Sequence, residues 1–219
     1  MKFEAILFDC DGVLVDSEPI VNVVLRDMLE ERGWAMTGPE CMRFFVGKSV
    51  RDERVAIEAH TGQPLTDAWM QLFYTRRNHE LTQRLEIIGG AHAAVQAAHR
   101  HTGQRIACAS GADRFKVKMQ LTQVGLMAFF TGRVFSGHEM PRYKPAPDVY
   151  LAAARHLNAP GHQCLVIEDT TVGTTAGVAA GATVWAYCPI PAHGPALLAA
   201  GATQLFGHMG DLPALLAAL

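Results

Sequence analysis

The 219 residues predict an α/β fold, a parallel sheet wrapped by helices, with a small helical unit inserted near its start. Two observations carry that expectation. Short apolar runs alternate with amphipathic stretches over most of the chain, the pattern of strands joined by crossover helices. The segment between the first two apolar runs, Asp9 to Gln104, is several times the ~10 to 30 residues that a crossover requires, so something is inserted there. At about one and a half times a typical domain of ~150 residues, the chain has room for a large core and a smaller companion.

The elements follow in order. Ala5 to Phe8 reads as the first strand. Pro19 to Arg32 reads as a helix, with Ile20, Val23, Val24, Met28 and Leu29 on one face, and helical patterns follow near Arg51 to His60 and Asp67 to Gln83. These place a helical domain at residues 17–85 and leave 1–16 and 86–219 for the α/β core. Ala91 to His101 returns the chain to the sheet. Strands are then expected at Arg105 to Ala109, Arg133 to Phe135, Cys164 to Ile167 and Thr183 to Ala186. Helices are expected at Asp113 to Val124, Pro147 to Leu157 and Val172 to Ala180, with Gly125, Asn158 and Gly181 as stops.

Composition narrows the function. Nineteen basic and 21 acidic residues leave a charge of −2 with no Lys/Arg run, which argues against a nucleic acid or an anionic membrane as partner and for a small molecule. Five scattered cysteines, none in a C-x-x-C pair, suit a reducing cytoplasm better than a disulfide framework or a zinc site. Glu4 stands where a secretion signal needs apolar residues. The uncharged stretch from Thr170 to Met209 is broken by Pro189, Pro191 and Pro195, so it reads as buried strands and small-residue helices rather than a membrane span. Oligomeric state is not legible.

Three polar groups fall directly after expected strands: Asp9-Cys10-Asp11-Gly12, Ser110-Gly111, and Glu168-Asp169. The carboxyl ends of strands line the ligand crevice of an open α/β sheet, so these groups should converge. Four carboxylates brought together repel one another unless a cation sits among them. With only oxygen ligands, Mg²⁺ suits best, and a phosphate ester is its usual companion. A turn at Gly12 can direct Asp9 to the metal and Asp11 to the leaving group, giving a nucleophile and an acid/base from one motif. Lys144 supplies the positive charge that phosphoryl transfer needs, and Ser110 a hydroxyl with nearby amides. Cys10, its side chain turned away from the site, receives no role.

In order and spacing, Asp9-Cys10-Asp11-Gly12-Val13, Ser110, Lys144-Pro145 and Glu168-Asp169 with Gly173 resemble the four motifs of the haloacid dehalogenase superfamily. The resemblance implies a Rossmann-like core with a helical cap, Asp9 as nucleophile, Asp11 as acid/base and Ser110, Gly111 and Lys144 at the phosphate. It also implies a Mg²⁺ ion held by Asp9, the Asp11 main-chain carbonyl, Asp169 and Glu168. Within the phosphatase and beta-phosphoglucomutase-like branch, the stretch from Phe135 to Pro145 is similar to bacterial phosphatases acting on sugar phosphates such as 6-phosphogluconate. Gly47, Lys48, Ser49 and Arg51 are candidate specificity residues of the cap, in a loop expected just before a helix. The expected activity is a Mg²⁺-dependent phosphatase acting through an aspartyl-phosphate. A phosphosugar mutase is the alternative, disfavoured because Val50 and Val21 stand where mutases of that branch have Arg and His. A non-catalytic domain accepting phosphate on an aspartate is the third reading, disfavoured because it has no use for a cap.

Overall fold

The computed structural model describes residues 3–45 and 48–219, and these fall into two compact units, Met1–Asp16 with Glu86–Leu219, and Ser17–Leu85. The first is built on a six-stranded sheet. Its strands are β1 (Ala5–Phe8), β4 (Ile106–Ser110), β5 (Val134–Ser136), β6 (Cys164–Glu168), β7 (Thr183–Tyr187) and β8 (Gln204–Phe206), arranged β5-β4-β1-β6-β7-β8 with every pairing parallel. A two-stranded antiparallel ribbon joins β2 (Val15–Asp16) to β3 (Glu86–Ile87). Strands β1, β4 and β6 are buried along their whole length, which is why they read as continuous apolar runs instead of alternating ones.

Between these strands run α5 (Ala91–His101), α6 (Arg114–Gln123), α7 (Asp148–His156) and α8 (Thr171–Ala179), with α9 (Gly194–Ala199) and α10 (Leu212–Ala217) closing the chain. Ala107 and Ala109 present the same face of β4, so α7 packs close and the ring of Tyr150 is fully buried against small residues. At Gly177 on α8 an added Cβ would sit 2.8 Å from Val184, so this helix also lies tight on the sheet.

The second unit holds α1 (Glu18–Glu30), α2 (Gly38–Phe45), α3 (Arg54–Thr61) and α4 (Asp67–Arg84). Val24, Leu25, Met28 and Leu29 of α1 form its core with Cys41, Ile57, Met70 and Phe73. Trp34 stacks on His60 at 4.0 Å between ring centroids and meets Phe44 edge-on.

Where sequence and structure differ, the elements are short. β2, β3 and β8 are two or three residues each, α9 and α10 six, too little for a periodicity to register. α2 opens with Gly38-Pro39, which looks like a turn, although proline is well placed in the first turn of a helix. The helix expected from Arg51 begins at Arg54 instead, after turns in which the Ser49 carbonyl accepts from Asp52 N and Glu53 N. Among the described residues no helix is long and apolar enough to cross a membrane.

Candidate active site

The sheet order reverses at β1: the chain runs outward through β4 and β5, then returns to place β6 on the other side. Such a switch point opens a crevice at the carboxyl ends of the flanking strands. Asp9 follows β1, Ser110 ends β4 and Glu168 ends β6. A tight loop follows Asp9, in which the Cys10 carbonyl accepts from Leu14 N and Val15 N, and Gly12 takes a φ of +78°. A Cβ on Gly12 would lie 2.1 Å from Asp169 Oδ2, so a glycine there lets the Asp169 carboxylate lie against the loop.

Lys144 is the hub. Its three N–H groups are shared among four acceptors, Asp9 Oδ1 at 2.6 Å, Glu168 Oε1 at 2.8 Å, the Tyr150 hydroxyl at 2.9 Å and the Ala109 carbonyl at 3.1 Å, with the side chain only 9 % exposed. Burial works against its ammonium, but Asp9 and Glu168 outweigh that and hold its pKa well above the usual lysine range. Burial pushes the Asp9 carboxyl up to about 7; Lys144 opposes the rise, while Glu168 and Asp11 add to it. For Glu168 burial also raises, but Lys144, the Tyr150 hydroxyl and Thr170 win and keep its carboxyl below the ordinary value.

Glu168 is the second centre of this network. Its Oε1 accepts from Lys144 and from the Tyr150 hydroxyl at 2.7 Å; its Oε2 accepts from Asp169 N, Thr170 N and Thr170 Oγ1. Both oxygens accept from the chain's own donors, which ties Glu168 to Lys144 and to the start of α8. Gly173 makes this possible, since a Cβ there would fall 1.7 Å from Glu168 Oε1. Charge in the site is balanced in part by lysines. Lys144 lies beside Asp9 and Glu168, and Lys116 Nζ donates to Asp11 Oδ1 at 2.8 Å, so lysines compensate three of the four carboxylates and repulsion alone does not demand a divalent ion.

Ser110 is 1 % exposed, and its Oγ accepts from Ala112 N at 3.0 Å. The residue that caps α6 is Asp113, which accepts from Lys116 N, so Ser110 has no capping duty. Gly111 lies beside Gly137, whose Cβ would be 3.3 Å from the Gly111 Cα. Lys48 and Arg51 belong to the helical unit and are engaged within it: Lys48 with Glu53 at 3.2 Å, Arg51 with Asp67 at 3.0 Å. Gly47 lies outside the described residues. Lys116, Gln120 and Tyr150 were not expected at the site, because helix residues at buried positions read as packing. An i, i+4 pair of long polar side chains on an otherwise buried helix face was the available signal.

So much charge buried at the switch point of an open sheet is the mark of an α/β enzyme. Comparison supplies the family: residues 3–181 match the model of the haloacid dehalogenase-like hydrolases, and the chain belongs to that family. Over 215 residues it is 28 % identical to the 6-phosphogluconate phosphatase of Escherichia coli (strain K12), covering 98 % of this chain and 95 % of that protein. A haloacid dehalogenase-like protein from Agrobacterium tumefaciens str. C58 superimposes with a TM-score of 0.83 at 31 % identity, covering 99 % of this chain and 98 % of that one. A hydrolase of the same family from Deinococcus radiodurans R1, solved with bound phosphate and sodium, gives a TM-score of 0.78 at 32 % identity, covering 99 % of this chain and 96 % of that one. Family membership makes the chain a hydrolase, of the phosphoric monoester class to which its phosphatase relatives belong.

Proposed function

We propose that the chain is a Mg²⁺-dependent cytoplasmic phosphatase for a small sugar or sugar-acid phosphate, working through an aspartyl-phosphate on Asp9. The observation that carries this reading is the Lys144 bridge, which places a buried cation against the Asp9 carboxylate at the mouth of the switch point. The donor set suits Mg²⁺: Asp9, Asp169 and Glu168 offer carboxylates and Asp11 a main-chain carbonyl. Mg²⁺ takes one or two protein carboxylates and leaves the rest of its coordination to water and phosphate. When bound, Mg²⁺ supplies positive charge to the phosphate oxygens.

The chain's own residues do the rest. Lys144 and Ser110 hold the phosphate; a carboxylate oxygen of Asp9 attacks phosphorus as the ester oxygen leaves with a proton from Asp11. A water then attacks the phospho-aspartate, returning a proton to Asp11 and releasing phosphate. The helical unit is proposed as the part that discriminates leaving groups, with Lys48, Ser49 and Arg51 as its candidate residues. Hydrolysis is favoured over a mutase because Val21 and Val50 pack against the apolar core of the helical unit and offer no charge for a second phosphate. A panel of phosphorylated metabolites assayed for phosphate release, with Mg²⁺ and after chelation, tests the reading. Release that is insensitive to chelation removes the metal; efficient conversion of beta-glucose 1-phosphate to glucose 6-phosphate, outpacing phosphate release, replaces the phosphatase with the mutase.

A further inference from the structure

Two polar side chains on α6 are left over by the mechanism. Lys116 and Gln120 stand four residues apart, on one helical face, and both are buried. Lys116 Nζ donates to Asp11 Oδ1 at 2.8 Å, and Gln120 Nε2 donates to the same oxygen at 2.9 Å. At its other end the Gln120 amide accepts from Cys10 Sγ at 3.7 Å, which sets the direction the amide faces and gives Cys10 a part after all. Asp113 seats the first turn of α6 by accepting from Lys116 N at 2.8 Å. An ammonium with a side chain 8 % exposed is costly to bury, and a helix evolved only to pack would carry apolar residues of similar size at both positions. The cost therefore points to a task at Asp11.

We infer that Lys116 and Gln120 are positioning residues for Asp11, holding its Oδ1 so that Oδ2 is the oxygen that carries the proton. The inference rests on Asp11 being the acid and base of the proposed reaction. In the first step the bond from phosphorus to the leaving oxygen breaks while the bond from Asp9 to phosphorus forms, and the proton on Asp11 Oδ2 passes to the leaving oxygen. In the second step water adds to phosphorus, its proton passes to Oδ2, and the bond to Asp9 breaks. Lys116 and Gln120 make and break no bond. They remove the rotation of the Asp11 carboxyl that would otherwise be lost at the moment of transfer.

The test separates esters that need a protonated leaving group from those that do not. First-turnover phenol release is measured with phenyl phosphate and with p-nitrophenyl phosphate, whose leaving group departs readily as the anion. Lys116→Met is expected to slow phenyl phosphate by ~30-fold or more and p-nitrophenyl phosphate by less than about threefold, with KM within about twofold of wild type. Lys116→Arg, which keeps a cationic donor, is expected to recover most of the loss, and Gln120→Leu to show the same pattern more weakly. Equal losses on both esters, or an effect confined to KM, overturn the inference. Asp11→Asn controls for the underlying mechanism. If it shows the leaving-group pattern and Lys116→Met and Gln120→Leu do not, only the positioning inference falls; if it shows none, the acid assignment falls and the inference with it. Should Lys116→Met fail to fold, Gln120→Leu decides, its pattern supporting the inference and its absence overturning it.

Discussion

Both units carry exposed ion pairs, but among the described residues the buried lysine–carboxylate pairs lie in the α/β unit. In the α/β unit, Lys144 and Lys116 are buried and each is tied to carboxylates at the ends of strands. In the helical unit Arg26 pairs with Asp27, Arg54 with Glu58 and Arg76 with Glu31, all with substantially exposed side chains. Buried pairs cost desolvation and are expensive to break; exposed ones sit in water and are worth little. The contrast teaches where substitutions should register as activity and where they should scarcely register.

The largest effect belongs to Asp9, which alone is proposed to bond to phosphorus. Asp9→Asn is expected to lower steady-state phosphate release by at least ~10³-fold while the protein still melts cooperatively. A variant that retains near wild-type turnover would remove the nucleophile and, with it, the claim that the buried network is the catalytic part.

Next comes Glu168→Gln. It keeps the shape and removes the charge that fixes Lys144 and accepts from Tyr150 and Thr170, so the network should loosen without vanishing. An activity loss of ~10- to 100-fold is expected, of the size seen when groups supporting a site are removed. Breaking a buried pair of this kind costs on the order of 3 kcal/mol, readable as a lowered denaturant midpoint. Unchanged activity with the stability loss present would make Glu168 a purely structural anchor.

The residues in these two tests differ in how visible they were. Asp9, Ser110 and Glu168 sit where a strand runs out, and a buried strand announces itself as an apolar run whose end is easy to locate. The parallel sheet follows from the same runs, which is why the fold class was legible. Tyr150, Lys116 and Gln120 reach the site from helices, and only packing decides which helix face meets which strand end. Sequence therefore placed Lys144 near phosphate but could not show it bridging Asp9 to Glu168. For the same reason the surroundings of Glu168 were only half legible: Asp169 and Thr170 follow it in the chain, while Lys144 and Tyr150 are brought to it by folding. The short β8 and the ribbon of β2 and β3 escaped because two or three residues carry no period.

Lys48 sharpens the comparison from the other side. Its ion pair with Glu53 is exposed, so Lys48→Ala should leave the melting temperature within about 2 °C of wild type. Its proposed use is in discrimination, so kcat/KM for the best sugar phosphate should fall ~3- to 10-fold while a generic aryl phosphate is spared. Equal effects on both esters would take Lys48 out of the specificity residues.

The smallest effect is expected at Glu58. Its Oε1 accepts from Arg54 Nε at 2.8 Å and from Leu65 N at 2.8 Å, the latter tying the end of α3 to the chain beyond it. The backbone donor at Leu65, then Arg54, hold its carboxyl below the ordinary value of 4.5. A folded-state pKa that is depressed contributes stability that is present above the unfolded value and lost as pH falls through the folded one. Glu58→Gln keeps an acceptor oxygen for Leu65 and removes only the charge. Its melting temperature should therefore lie slightly below wild type at pH 7, by no more than a degree or two. The gap should close as pH falls below 4.5, where the wild-type carboxyl becomes neutral like the amide. A gap that stays constant with pH would mean that the shape of the side chain matters there and its charge does not. A gap of many degrees would show that charge in the helical unit bears weight comparable to the buried lysines, and the contrast between the two units would fail.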